Sequence, residues 1–502
     1  MKSQGAPGEA SVDPNNGFSG HGGGLKQNCL SYAEVLAQSV SVIAPSTVPA
    51  AIFGLIFASA GNGMWLSFLF GMVGMVLVSL NINQFARRSA SPGSLYSYIV
   101  KGLGPTAGVL GGWALLFGYI MTGMSTLCGF AIFANVLLEP LGIHLPILLS
   151  FAIGATGACL VAYRDIQLSA KTMLVIEGVV LSAILILGIL IWSDKGFAID
   201  TAQLTLSGVT PSGVLTGVVL VVFGFSGFES STSLGHEAKE PLRTIPRSVT
   251  QSVLLSGLVF IFMSYVVVLG FQGSAESLRN TEAPLDVLAR DSGRGFLSTL
   301  INIGIFLSFF ACTLACVNST ARIVFSMARH GLMMDVLGEA HEKNRTPYTA
   351  VLLAALVTFL LPAGLYVAGA SPFDSQGYFG TLCSFGFLLT YILISLAAPS
   401  YLRSIGKLTR GAVVWSVLAI GFMALPMLST IGIPGSEMFP PQGFPENLLF
   451  LLFILYMGIG LAWMMLQRAR RPDLLANLRH AIDDIELKLA KVTVSVPKRP
   501  IE

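Results

Sequence analysis

Twelve stretches of roughly twenty apolar residues, each bounded by Gly, Pro or charge, follow one another along the 502 residues of this chain. A helix of about that length crosses a bilayer core of about 30 Å. Their approximate limits are 34–58, 63–86, 106–138, 146–162, 171–193, 213–236, 249–271, 296–327, 347–369, 377–401, 411–432 and 446–467. A spanning segment must satisfy its own backbone hydrogen bonds, so the chain reads as an all-α integral membrane protein. Composition agrees: 53% of residues are hydrophobic and 11% charged, against roughly a quarter charged in a soluble domain.

Charge reports topology. The net charge of +3 is small, and the basic residues lie between apolar runs instead of forming one stripe, which argues against nucleic acid as a partner. With the N-terminus inside, all but four of the 29 Lys and Arg (Lys195, Arg279, Arg290 and Arg294 excepted) fall on the cytoplasmic side. The expectation is a multi-pass protein of the cell (inner) membrane with both termini cytoplasmic. Residues 1–30, rich in Gly, Ser and Pro, read as a disordered tail. At the other end Leu474, Leu478, Ile482, Ile485 and Leu489 recur at helical spacing, so residues 468–502 read as an amphipathic tail packed on the protein or the lipid surface. The six cysteines lack CxxC spacing and read as free, hydrophobically packed thiols.

Two spans carry helix breakers. In the first, Pro45 and Pro49 bracket Ser46, Thr47 and Val48, and each proline removes an amide donor. In the sixth, Gly224 and Gly227 flank Ser226 and permit non-helical backbone. If residues 31–195 and 196–405 are two five-helix repeats and 406–467 adds two more helices, the breaks open each half and the repeat is inverted. Interrupted helices at matching positions point to a midplane solute site, where half-helix ends present amides to an anion and carbonyls to an ammonium. A kink or close packing is the alternative for either break alone.

At these residues the chain resembles the amino acid-polyamine-organocation permeases, bacterial amino acid permease type. The most specific part is GFSGFESSTSLGHEAKEPLRTIPRSV, from Gly224 to Val249; QFARRSASPGSLYSYI, GPTAGVLGGWALLFGYI, NSTARIVFSMARHGLMMDVLGEAHEKNRTPYTAV and YFGTLCSFGFLLTYILISLAAPSYLR follow in order. The resemblance implies a LeuT-like 5+5 inverted repeat with helices 1 and 6 broken. It implies that Ala44, Pro45, Ser46, Thr47 and Val48 line a solute site through amides, and Phe223, Gly224, Phe225, Ser226 and Gly227 through carbonyls. Phe223 falls where many relatives place an aromatic gate. The first span has APST where many members carry a Gly-Ser-Gly type sequence, and Gln84 stands where relatives often carry an acid. Tyr119 of the third span is a further candidate for the cavity wall, the alternative being packing.

Two carboxylates lie within apolar runs, Glu177 in the fifth and Glu229 after the second break. An intramembrane ionisable group costs about 2.5–3.5 kcal/mol on insertion scales and is a functional-site hypothesis by default. Either residue can carry a proton; a fixed hydrogen-bonding strut is the alternative. By resemblance, Glu229 matches an acidic position recurrent in the family, and Glu177 a position where some relatives carry a lysine in place of sodium. Ser308, Thr313, Asn318 and Ser319 could complete a cation site with the first span, but packing is the simpler role.

Enzyme patterns fail. HEAKE has Glu240 where a zinc-protease motif needs a second histidine, GFSGF has Phe228 where a nucleophile elbow needs glycine, and no GxxxxGK[ST] is present. The reading calls for no cofactor, no metal and no catalytic residue. The expected function is proton-coupled movement of an amino acid by alternating access, in a monomer or homodimer within the lipid bilayer. An amine or polyamine transporter or an exchanger of the same fold is the rival; a transporter-like sensor is a remote one.

Overall fold

The computed structural model describes residues 25–281, 283–436, 439, 443–471, 473, 477–480 and 482. Its first expected span is in three pieces, α1 (Tyr32–Ile43), α2 (Thr47–Ala51) and α3 (Phe53–Ala60). The rest of the first half comprises α4 (Met64–Ala86), a short α5 (Ser94–Leu103), α6 (Pro105–Leu138), α7 (Ile147–Arg164), α8 (Ile166–Asp194) and a single turn, α9 (Thr201–Leu204). The second half follows with α10 (Pro211–Phe225), α11 (Pro241–Phe271), the short α12 (Pro284–Asp291), α13 (Gly295–Arg329), α14 (Tyr348–Val367) and α15 (Pro372–Ser404). Two outer helices, α16 (Arg410–Ile431) and α17 (Glu446–Arg470), close the series. Among the described residues eleven helical stretches are long and apolar enough to cross a membrane. The broken α1–α2 segment falls outside that count and makes the twelfth expected span.

Packing follows a pseudo-symmetric plan. Helix α4 packs on α11, α6 on α13 and α7 on α14; α6 packs on α15 as α13 packs on α8. Each partnership joins helices that hold the same ordinal place in the two halves, or repeats with the halves exchanged, as an inverted repeat requires. Small residues allow the closest approaches. At Gly386 a Cβ would lie 2.6 Å from the Ala114 carbonyl oxygen and 2.8 Å from the Gly118 nitrogen, so α6 and α15 touch backbone to backbone. The outward faces stay apolar: Val175, Val179, Ile186 and Ile189 on α8, and Leu451, Leu455 and Ile459 on α17, are exposed. In a bilayer these faces meet lipid tails.

Two features depart from the expectations. Helix α11 starts at Pro241, eight residues before the expected seventh span, because Pro241 stands at its first position, where a missing N–H is harmless. The loops contain α5 and α12, amphipathic elements too short to register as spans. Of the expected C-terminal apolar stripe, Leu478 and Ile482 are buried, while Leu474, Ile485 and Leu489 lie outside the described residues, as do residues 1–24.

The segment before α1 ties the N-terminal face together. Cys29 and Leu30 donate their amides to the Glu237 carbonyl (2.8 and 2.9 Å), and Lys239 donates to the Leu30 carbonyl (2.9 Å). The Lys26 ammonium reaches Asp165 at 3.2 Å and Gln167 at 2.6 Å, at the α7–α8 corner. Beneath this layer Arg322 of α13 donates to both Glu237 carboxylate oxygens at 2.6 and 2.9 Å, with both side chains buried.

Candidate functional site

The first break forms where proline chemistry dictates. Pro45 cannot donate to the helix and disfavours helical backbone at the preceding residue. Helix α1 accordingly ends at Ile43, and Ala44 turns left-handed (φ 46°) while its amide still reaches the Val40 carbonyl at 2.8 Å. Thr47 then caps the turn, its amide and hydroxyl both donating to the Ala44 carbonyl at 2.9 Å. Pro49 sits in the first turn of α2, where no amide is needed.

The second break lies slightly further along than the glycine spacing suggested. Helix α10 continues through Gly224 to Phe225, and the chain leaves it at Ser226 (ψ 139°) and Gly227 (φ 84°). A Cβ on Gly227 would lie 2.1 Å from Val42 Cγ1, so glycine serves both the turn and the close approach to α1. Beyond it, Ser230 donates its hydroxyl to the Gln38 carbonyl (3.1 Å), and the Ser231 amide donates to Ser39 Oγ (3.0 Å). The two breaks are thereby stitched side by side at mid-helix.

Between them is a cavity of about 30 Å³. Ala44, Thr47 and Val48 line it from the first break, and Phe223, Gly224 and Ser226 from the second. The remaining wall comes from Val42, Ile43, Ala51 and Ile52, from Thr122, Ser125 and Thr126 of α6, from Phe309 and Cys312 of α13, and from Gln376 of α15. Not one of these side chains is a carboxylate, a histidine, a lysine or an arginine. The space is narrow and only partly enclosed. Val48 fills the space beside Gly224, where a Cβ would come within 3.2 Å of it, and the Phe223 ring lies against Gly380.

Five candidates from the sequence do not line this cavity. Pro45 forms the turn between α1 and α2. Phe225 is buried against Phe260, edge to face. Gly227 donates its amide to the Tyr391 hydroxyl at 3.1 Å. Tyr119 donates its hydroxyl to Glu229 Oε1 at 2.7 Å, behind the second break. Ser46 donates to Ser308 Oγ at 2.5 Å, and Ser308 donates to Glu177 Oε1 at 2.6 Å.

Each intramembrane carboxylate therefore sits beside one break. Glu229 is fully buried and receives a second hydroxyl, from Tyr391 of α15, at 2.6 Å. Glu177 Oε2 has no partner among the described residues. Thr313 bonds Thr126, Asn318 donates to Ser169, and Gln38 donates to Ser319, so these polar groups tie α13 to its neighbours. Sequence reading missed Tyr391, Gln376 and the α6 hydroxyls. The available signal was a polar side chain inside an apolar run, yet that signal marks every interhelical strut equally. Among the described residues no group of three His, Cys, Asp or Glu side chains suits a metal ion.

Two histidines lie on the N-terminal face near the Arg322–Glu237 pair. Burial pushes the His330 imidazole down to about 4, with His236 adding to the effect, and its Nδ1 lies 3.2 Å from the Tyr96 hydroxyl. Burial, then the charge of Arg329, pushes His236 down to about 4 as well.

The family described as amino acid permease matches residues 36–475. The branched-chain amino acid permease BcaP of Bacillus subtilis (strain 168) is 25% identical over 68% of this chain and 73% of its own length. The low-affinity putrescine importer PlaP of Escherichia coli (strain K12) is 25% identical over 74% of this chain and 80% of its own. Among solved structures, a mutant of the manganese transporter of Eremococcus coleocola superposes with a TM-score of 0.54 at 14% identity, covering 90% of this chain and 94% of the other. The last likeness concerns the fold alone.

Proposed function

Since the chain belongs to the amino acid permease family, we propose that this membrane transporter carries an amino acid with a neutral, apolar side chain across the cell membrane, coupled to protons, with both termini cytoplasmic. The observation that carries this reading is the cavity between the breaks, whose lining has hydroxyls, one carboxamide, one thiol and apolar groups but no carboxylate and no basic side chain. A solute with a second positive charge would be buried there without a counter-charge, which is costly. Val42, Ile43, Val48, Ile52, Phe223 and Phe309 supply an apolar wall for a side chain, and Ala44 and Ser226 bring the two breaks to the cavity, where the α-carboxylate and α-amine would meet unwound backbone once the walls part.

Alternating access fits the same geometry. A cavity of about 30 Å³ is too small for an amino acid, so the walls must part for solute to enter, and Glu229 and Glu177 stand where such parting would change their surroundings. A bundle of helices that carries the two breaks would rock against the scaffold formed by the others, and a proton on Glu229 would bias the equilibrium by its differential affinity for the two states.

The test is uptake by purified protein in liposomes of a labelled panel of amino acids, putrescine and longer polyamines, with and without an inward proton gradient. The proposal expects accumulation of aliphatic neutral amino acids only with the gradient. Uptake of polyamines in preference would overturn the substrate class, and uptake that ignores the gradient but needs internal solute would mean exchange.

A further inference from the structure

Away from the solute cavity, the N-terminal face carries a second, larger concavity of about 640 Å³ between the end of α4 and the first turns of α11. Its lining includes Arg87, which follows the last residue of α4, and Arg243 and Arg247, one turn apart on α11. All three are exposed. Arg243 meets Glu240 at 3.5 Å in a surface contact with both partners mostly exposed, an arrangement worth little. Arg87 and Arg247 have no carboxylate partner among the described residues. Three cations thus converge with at most one weak counter-charge, at the N-terminal end of a long helix, where the dipole adds positive potential.

The same stripe of α11 changes character along its length. After Arg243 and Arg247 come Leu254 and Leu258 at helical spacing, exposed to 39% and 63%, and Leu242 flanks the arginines at 45%. At 1.5 Å per residue, Leu258 lies about 16 Å beyond Arg247 along the axis, roughly half the thickness of a bilayer core. A free anion would use the arginines and leave the leucines idle. A phospholipid uses both, headgroup phosphate on the guanidinium groups and one acyl chain along Leu254 and Leu258.

We propose that this groove is a binding site for one anionic phospholipid of the leaflet that meets the N-terminal face, which the positive-inside count assigns to the cytoplasm. Planar guanidinium forks suit bidentate contact with phosphate oxygens. The claim stands apart from the transport reading, because neither Arg87, Arg243 nor Arg247 touches the solute cavity or the buried carboxylates.

Native mass spectrometry of the full chain in neutral detergent tests it, titrating phosphatidylglycerol, phosphatidylcholine or inorganic phosphate as the probe. The expected result is one retained phosphatidylglycerol, bound about a hundredfold more tightly than by the triple variant Arg87→Gln, Arg243→Gln, Arg247→Gln. The triple Lys variant should keep most of that affinity, and Leu254→Gln with Leu258→Gln should weaken the lipid without restoring phosphate binding. Equal retention of phosphatidylglycerol by the parent and the Gln triple, at equal elution on gel filtration, would overturn the site. So would equal retention of phosphatidylcholine by the parent. Displacement of lipid by millimolar inorganic phosphate would overturn the lipid assignment in favour of an ion site.

Discussion

Glu229 holds the densest polar contacts near the breaks, with hydroxyls from Tyr119 on α6 and Tyr391 on α15 donating to its two oxygens. Hydrogen bonds to an ionised acceptor are about twice as strong as neutral ones, so the tyrosines favour the carboxylate while burial opposes it. Under the proton-coupling proposal, Glu229→Gln should abolish concentration of solute against a gradient while leaving counterflow exchange within a few-fold of the parent; gradient-driven accumulation at the parental level would remove Glu229 from the coupling role. Tyr391→Phe, which takes away one of the two donors, should change the pH dependence of uptake if Glu229 carries the coupled proton. A purely structural strut would lower the amount of folded protein without moving that profile.

At the scale of elements, the two breaks have different causes. Pro45 ends α1 by covalent geometry, whereas α10 ends because Gly227 can adopt φ 84° and leaves room for Val42. Gly227→Ala meets both a left-handed backbone cost of about 1–2 kcal/mol and a steric conflict with Val42. Destabilisation of at least that size is expected in thermal unfolding followed in detergent. Adding Val42→Ala should recover the steric part and leave the backbone part, so a double variant restored fully to parental stability would mean that φ contributes nothing.

For the whole molecule, the N-terminal face is tied together by a buried ion pair under a layer of backbone hydrogen bonds. Removing one partner leaves a buried charge uncompensated, at about 3–5 kcal/mol. Arg322→Ala should therefore be much less stable than the double variant Arg322→Met with Glu237→Leu, which removes both charges; measured melting temperatures should rank them parent or double first, Arg322→Ala last. Acid acts on the same face. His330 is held neutral down to about 4, below the ordinary value of about 6.5. As pH falls from about 6.5, the unfolded chain takes up the proton first, so stability declines until about pH 4 and then levels. The loss approaches about 3 kcal/mol at one unit per 1.36 kcal/mol. His330→Gln should flatten that part of the stability profile, and an unchanged profile would place the acid sensitivity elsewhere.

The sequence by itself determined the class of fold and, to within a residue or two, where both breaks fall, because those rest on local chemistry. Length and hydrophobicity decide whether a segment crosses a bilayer, and Pro45 and Gly227 act on the backbone within a turn of themselves. Even the two intramembrane carboxylates were legible, since a charge in an apolar run stands out in one dimension. What only the tertiary structure decided is which groups surround them. Tyr391 lies 162 positions from Glu229 in the chain, Ser308 lies 131 from Glu177, and the cavity wall draws on six helices whose rotation about their axes sets which side chains face inward. Rotation follows from packing contacts such as Gly386 on Ala114 and Gly227 on Val42, which depend on pairs of distant residues fitting together and leave no periodic trace along the chain.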